Sequence, residues 1–288
     1  MAEIFLTGAT GFVGRHLVPA LIAGGHRLRC LVRSPEKAAP LRALGCAVVV
    51  GDLQNGAWGL EGTELIIHLA ALHRGPGLSR TNVAGTAQLV RAAAAHKVQK
   101  MLYLSTVTAA PKPSWPYAYS AWLAEQIIQA SLWRFTILRC SVIVGPGDPF
   151  LGGIVRMAQR WPVVPIIGFG DTRFQPISVH DVVRCVLKAI SDDRYDNRTL
   201  TLGGPEILSY REIVHTVCET LGIRKRLLPL PRRATRFCVQ WLERLGVRTP
   251  FVPGHFLSKD LLASGPTVIE DEFGFRPQTL REVLHALL

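Results

Sequence analysis

Three glycines stand three residues apart near the start of this 288-residue chain, in the run Gly8-Ala9-Thr10-Gly11-Phe12-Val13-Gly14. They follow an apolar, strand-like stretch (residues 3–7) and open a stretch with helical spacing (residues 11–23). A turn of that kind gathers backbone N–H groups and the positive end of a helix at one point. Glycine allows the turn and removes the Cβ that would hold a ligand away. A pyrophosphate needs such close approach, so strand, turn and helix in this register point to a bound dinucleotide. Thr7, Gly8, Thr10, Gly11, Phe12, Val13, Gly14 and Arg15 are the candidate contacts.

The second strand tells which dinucleotide to expect. An acid at its end would hold the ribose 2′-hydroxyl of NAD. This strand ends Cys30-Leu31-Val32-Arg33-Ser34, with no acid there. The Arg33 guanidinium is a fork suited to a 2′-phosphate, Arg15 adds a second positive charge, and Lys37 is near. These residues favour NADP(H), and Glu36 lies close enough to leave NAD(H) open.

The elements that must carry these groups alternate. Strands are expected at residues 3–7, 27–32, 47–51, 64–70, 100–106 and 135–144. Helices are expected at 11–23, 82–96 and 118–131. Such alternation implies an α/β, Rossmann-type doubly wound parallel sheet covered on both faces. After Gly145-Pro146-Gly147 prolines and turn residues interrupt the pattern up to Pro176. A helix near 179–190, a strand at 199–202 and a capping box, Ser209 to Glu212, opening a helix at 210–221 follow. The expected organisation is a dinucleotide-binding domain over 1–145, with later segments able to return to its sheet, and a smaller substrate or lid lobe over 146–288.

Composition narrows the class. Apolar residues make up 48% and charged residues 19%, enough for a large core and unlike a disordered chain. Mean hydropathy is +0.23. No run of eighteen apolar residues suggests a membrane span, and the N-terminus reads as a first strand rather than a signal peptide. The six cysteines (Cys30, Cys46, Cys140, Cys185, Cys218 and Cys238) form no CxxC, which suits buried thiols in a reducing compartment, and the nine histidines lack ligand spacing, so no metal site is expected. A cytoplasmic protein is expected, with peripheral membrane contact open. The net charge of +12 suits a phosphorylated cofactor or an anionic surface.

The run Thr7-Gly8-Ala9-Thr10-Gly11-Phe12-Val13-Gly14 resembles the short-chain dehydrogenase/reductase superfamily, in its extended and atypical branches. Gly51-Asp52-Leu53, His68-Leu69-Ala70-Ala71 and Asn82-Val83-Ala84-Gly85-Thr86 match the same pattern. The resemblance implies that Asp52 and Leu53 lie by the adenine, and that Ala70, Ala71 and Asn82 lie beside the cofactor. It also implies a Tyr-x-x-x-Lys pair with a Ser or Thr. The tyrosine is the acid/base, and the lysine holds the nicotinamide ribose and lowers the tyrosine pKa. Here Tyr117-Ala118-Tyr119-Ser120-Ala121-Trp122-Leu123-Ala124-Glu125 puts Tyr117 in the tyrosine position and Ala121 in the lysine position. Ser105 and Thr106 match the hydroxyl site, with Thr106 in the better register. An unassisted tyrosine has a pKa of about 10, so roughly one in a thousand is ionised at neutral pH. Without the cation, proton transfer is expected to be poor.

Later segments refine the branch. Leu138-Arg139-Cys140-Ser141 running into Gly145-Pro146-Gly147-Asp148, then Gln175-Pro176-Ile177, and Leu202-Gly203-Gly204-Pro205-Glu206, resemble the branch related to the nucleotide-binding accessory subunit of mitochondrial complex I. His180 and Asp181 read best as a helix start. Residues 221–239 hold Arg224, Lys225, Arg226, Arg232, Arg233 and Arg236 and no acid. A helix from Pro231, with Phe237, Cys238 and Trp241 on one face, would be basic and amphipathic, suited to core, a substrate lid or an anionic membrane. Nucleic acid is disfavoured, because the aromatics are not interleaved with the basic residues. Two readings stand. One is a nucleotide-binding, weakly catalytic or non-catalytic accessory, assembly or sensing protein. The other is an active NADPH-dependent reductase or epimerase of an apolar carbonyl substrate, using Tyr117 and Thr106. A scaffold without cofactor is disfavoured by the glycines and Arg33.

Overall fold

The computed structural model describes residues 1–54, 56, 58–112, 115–131, 134–230, 260–263 and 268–287. The expected helix from Pro231, with Arg232, Arg233, Arg236 and Cys238, lies outside them. By its contacts the chain divides into two compact units. The first is Met1–Arg139 with Val183–Leu200, and the second is Cys140–Val182 with Thr201–Leu288.

The first unit is built on a seven-stranded sheet. Its strands are β1 (Glu3–Thr7), β2 (Arg27–Val32), β3 (Ala47–Val50), β4 (Leu65–His68), β5 (Lys100–Thr106), β6 (Arg134–Cys140) and a later strand, Arg198–Leu202. The spatial order is β3-β2-β1-β4-β5-β6 and then Arg198–Leu202. Neighbours from β3 across to β5 run parallel, with Thr7 opposite both Leu31 and His68, and His68 opposite Tyr103. The strand ends that should carry function therefore share one edge of the sheet. Apolar strand residues need cover on both faces, and Leu65–His68 is buried at every position. Phe5, Ile66, Met101 and Ile137 meet Trp58, Leu89 and Ile128 in one core.

Helices α1 (Phe12–Ala23), α2 (Ala39–Ala43), α3 (Gly85–Ala95) and α4 (Pro116–Gln129) supply that cover. Pro116 sits in the first turn of α4, where a missing N–H costs nothing. The expected helix at 82–96 is instead a π-turn, Arg80–Ala84, running into α3. Lys100 is buried. Its ammonium pairs with Asp196 and donates to the Ala189 carbonyl at 2.8 Å.

The second unit corrects two expectations. The strand predicted over 135–144 breaks: β6 ends at Cys140, and β7 (Ile143–Val144) pairs with Ile177–Ser178 in a separate two-stranded sheet. The interrupted stretch up to Pro176 contains a full helix, α5 (Pro149–Arg160), and a strand, β8 (Val163–Ile167). The signal for α5 was in the sequence. Asp148 is its N-cap, accepting from the Leu151 N–H at 2.7 Å and the Gly145 N–H at 3.0 Å, and Pro149 is its first residue. Burial raises the Asp148 pKa despite these bonds. Gly145-Pro146-Gly147-Asp148 is thus a turn closed by a cap.

The other late motifs are structural as well. Gln175 donates to the Gly204 carbonyl at 2.9 Å and accepts from the Ala263 N–H at 2.9 Å, which ties the Gly203-Gly204 turn to residues 260–263. A Cβ on Gly204 would stand 1.8 Å from the Pro176 carbonyl oxygen. Ser178 Oγ accepts from the His180 N–H at the start of the helix Val179–Ser191, and Asp181 accepts from the Gln278 N–H at 2.7 Å. The capping box of Ser209 and Glu212 is formed at the head of Tyr210–Thr220.

Candidate functional site

The turn after β1 is made by backbone. Gly8 has φ +79, and the Gly11 N–H donates to its carbonyl at 2.9 Å. A Cβ on Gly8 would lie 2.8 Å from Ala70 N, and one on Gly14 would lie 2.3 Å from the Gly8 carbonyl oxygen. Neither space can hold a side chain, so the first turn of α1 packs directly on the turn that precedes it. Gly11 is the N-cap of α1, with no side-chain cap and no acid in the first turn. The positive end of α1 is therefore left for a ligand, and the residues present fit a pyrophosphate. Thr10, Phe12 and Val13 are half-buried around it, and Arg15 is exposed one turn in.

Arg33 is exposed just past the end of β2, and neither it nor Arg15 has a carboxylate partner among the described residues. Glu36 is turned onto its own short helix, Pro35–Lys37. Its carboxylate accepts from its own N–H and from Ser34, which holds its pKa below the usual carboxylate range. Asp52 opens a turn: Oδ1 accepts from the Gln54 N–H at 2.7 Å, and its carbonyl accepts from the Trp58 indole at 2.8 Å. Leu53 is buried against Gly85, where a Cβ would come within 2.7 Å of Leu53 Cβ. Ala70 and Ala71 are half-buried beyond β4.

The wall beside this turn is made by side chains. Asn82, in the π-turn, grips Leu72 from both sides. Its Oδ1 accepts from the Leu72 N–H and its Nδ2 donates to the Leu72 carbonyl, both at 2.8 Å. Nδ2 also donates to Ser120 Oγ at 3.0 Å, and Ser120 donates to the Tyr117 carbonyl at 2.8 Å. Tyr117 is buried, its ring centroid 4.5 Å from that of His73 and 4.8 Å from that of Trp115. Ala121 is 1% exposed one turn further on.

The two candidate hydroxyls differ. Ser105 donates to the fully buried Glu125 at 2.5 Å, and Glu125 also takes both arms of Arg139, at 2.9 and 2.5 Å. That pairing raises the Arg139 pKa. Ser105 thus belongs to a buried ion pair. Among the described residues, the Thr106 hydroxyl meets the Thr108 hydroxyl at 3.0 Å and the Thr108 N–H at 3.3 Å.

The sequence placed His68 and Thr86 within family-like segments but assigned neither a role. Thr7 Oγ1 lies 2.6 Å from His68 Nδ1, Thr86 Oγ1 lies 3.0 Å from His68 Nε2, and the Thr86 hydroxyl donates to the Asn82 carbonyl at 2.6 Å. The available signal was a histidine in a fully apolar strand, where burial demands partners. No group of histidine, cysteine, aspartate or glutamate suited to a metal ion occurs among the described residues. Among them, too, no helix is long and apolar enough to cross a membrane.

A parallel sheet in this order, with a glycine turn after its first strand, defines a Rossmann-type protein of the short-chain dehydrogenase/reductase class. More specifically, the chain belongs to the NAD dependent epimerase/dehydratase family, whose model matches residues 4–203. It is 33% identical over 245 residues to a ceramide reductase of Caulobacter vibrioides, covering 79% of this chain and 73% of that one. It is 22% identical over 299 residues to the mitochondrial NADH dehydrogenase [ubiquinone] 1 alpha subcomplex subunit 9 of Dictyostelium discoideum, covering 100% of this chain and 78% of that one. The dTDP-glucose 4,6-dehydratase of Bacillus anthracis, solved with NAD, shares the fold with a TM-score of 0.79 at 18% identity, covering 100% of this chain and 95% of that one.

Proposed function

We propose that this chain binds a nicotinamide dinucleotide at residues 8–14, prefers NADP(H), and is a weak catalyst or a non-catalytic accessory, assembly or sensing protein. The observation that carries the reading is the contrast between a glycine turn shaped for a pyrophosphate and an alanine, Ala121, buried where the resemblance calls for lysine. Gly8, Gly11 and Gly14 would bring backbone to the pyrophosphate. Asp52 and Leu53 would border the adenine, and Ala70, Ala71 and Asn82 the nicotinamide half. Arg33 and Arg15 would meet a 2′-phosphate, a role supported by their exposure and by the engagement of the Glu36 carboxylate with its own N–H and Ser34.

Bound there, the dinucleotide supplies or accepts a hydride. What the chain adds is proton transfer, and for that the position one helical turn after Tyr117 holds a buried alanine, Ala121, where the resemblance calls for lysine. The Arg139 guanidinium is already committed to Glu125, and Ser105 to the same carboxylate. Thr106 remains as a hydroxyl to hold a carbonyl oxygen. An accessory role accords with the subunit of NADH dehydrogenase among the relatives.

A second reading is favoured by one finding, the 33% identity to a ceramide reductase. In it, Tyr117 and Thr106 serve an NADPH-dependent reduction of a carbonyl on an apolar substrate. Cofactor choice tests the part common to both readings. Calorimetry should show NADPH binding more tightly than NADH, and Arg33→Asp should reverse that order. Equal affinities in the wild-type chain would remove Arg33 from the argument.

A further inference from the structure

With a neutral ring, the hydrogen bonds around His68 admit one arrangement of protons. The Thr86 hydroxyl must donate to the Asn82 carbonyl, because a carbonyl cannot donate. Its one proton is then spent, so at the 3.0 Å contact with His68 it accepts, and the proton sits on His68 Nε2. In a neutral ring Nδ1 is then bare, and the Thr7 hydroxyl donates to it across 2.6 Å. Thr7 Oγ1 in turn accepts from the Ala70 N–H at 3.2 Å. Beyond Asn82 the order continues. The side-chain amide spends both protons, on the Leu72 carbonyl and Ser120, and Ser120 spends its own on the Tyr117 carbonyl. Every proton from Ala70 to Tyr117 has one place.

This chain of bonds joins two parts of the site that share no element. Thr7 is the residue before Gly8, and Ala70 is the residue whose backbone a Cβ on Gly8 would strike. At the other end, Leu72 leads into the loop that puts His73 on the Tyr117 ring. His68 sits at the centre with no exposed surface, its ring stacked on Tyr103 at 5.3 Å. Two threonines flank it, one from β1 and one from α3.

We propose that His68 is a positioning residue, held as the neutral Nε2–H tautomer, that ties the backbone of the glycine turn to Asn82 and through it to Leu72 and Tyr117. It touches no reacting atom. It sets the spacing between the place where the dinucleotide would lie and the wall that carries Tyr117, and so rests on the reading of residues 8–14 as that place.

Two measurements on the whole chain decide it. Nitrogen-15 NMR of the imidazole, without nucleotide, should show a protonated Nε2 and a bare Nδ1 at neutral pH. The other tautomer, or an imidazolium, would overturn the proposal whatever the chain binds. Thr86→Val keeps the shape and removes the hydroxyl, while Thr86→Ser keeps the hydroxyl and removes the methyl. Calorimetric titration with NADPH should show Thr86→Val weakened about five- to tenfold, the loss expected of one buried hydrogen bond, and Thr86→Ser within about twofold of the wild type. Equal loss in both variants would make Thr86 a packing residue and sink the positioning role. If the wild-type chain binds neither NADPH nor NADH, the dinucleotide reading fails, and the tautomer still decides the place of His68.

Discussion

The glycine turn and the wall that carries Tyr117 are built in opposite ways. Residues 8–14 are a backbone device, with almost no side-chain hydrogen bonding of their own. Their geometry depends on missing atoms: Gly8 and Gly14 leave room for Ala70 and for each other. The wall is a side-chain device, in which Asn82, Ser120, His68 and Thr86 spend nearly all their hydrogen-bonding capacity on one another and on backbone. A backbone device tolerates no added atom, yet it is indifferent to the chemistry of the residues around it. A side-chain device can keep its shape while losing the one group that does the chemistry. On the proposed reading Ala121 would be that case, a buried alanine on an intact helix.

The comparison breaks most visibly at Gly14. Gly14→Ala drives a methyl to 2.3 Å from the Gly8 carbonyl oxygen and 2.6 Å from that of Ala9, and both are backbone atoms that cannot rotate away. The expected cost is on the order of 3 kcal/mol, a fall of roughly 5 °C in melting temperature for a chain of this size, with nucleotide binding lost. Calorimetry and thermal unfolding check both. A variant that melts and binds as the wild type does would mean that the turn is not held by close approach.

The turn was also the part most legible in the sequence, for the same reason. Glycines in register after an apolar strand have few alternative explanations, and the parallel sheet class, though not its strand order, followed from the alternation of strand and helix. The long helix Pro149–Arg160 was missed because Pro149 and the glycines before it were read as breakers, although Asp148 followed by proline is a helix start. The continuous strand drawn over 135–144 failed because the chain changes partner after Ser141: its N–H still donates to the Leu202 carbonyl of the neighbouring strand, whereas the Val142 carbonyl accepts from the Ile177 N–H at 3.0 Å. The long-range bonds of the wall were not legible at all. Thr7 and His68 are 61 residues apart, and nothing local to either shows that they meet. Ser105 stood beside Thr106 as the second-choice hydroxyl, and nothing in the sequence showed that Glu125 claims it.

The two regions meet at His68, and pH should pull them apart there. Burial lowers its pKa from 6.5 to about 4. As pH falls, the unfolded chain takes up this proton before the folded one does. The stability tied to the neutral ring is therefore whole above about pH 6.5 and is lost as pH falls through about 4. A shift of that size is worth about 3 kcal/mol. Urea unfolding at pH 7, 5.5 and 4.5 should show this loss in the wild type, and His68→Asn, which cannot titrate, should show a shallower slope. Parallel slopes would mean that His68 is protonated alike in both states.

The most informative change about function is at Ala121 itself. Ala121→Lys adds a cation one helical turn from Tyr117 without touching residues 8–14. Where nucleotide is bound and only the cation is missing, the variant should oxidise NADPH against a panel of ketones and quinones at least about tenfold faster than the wild type, because a positioned acid/base contributes that much and more. The gain should vanish in the double variant with Tyr117→Phe, and NADPH affinity should change little. A null result in Ala121→Lys, with nucleotide still bound, would mean that the wall has lost more than its cation. A wild-type chain that already turns over rapidly and is silenced by Tyr117→Phe would mean that another positive group serves Tyr117, and the chain would then stand with the reductases.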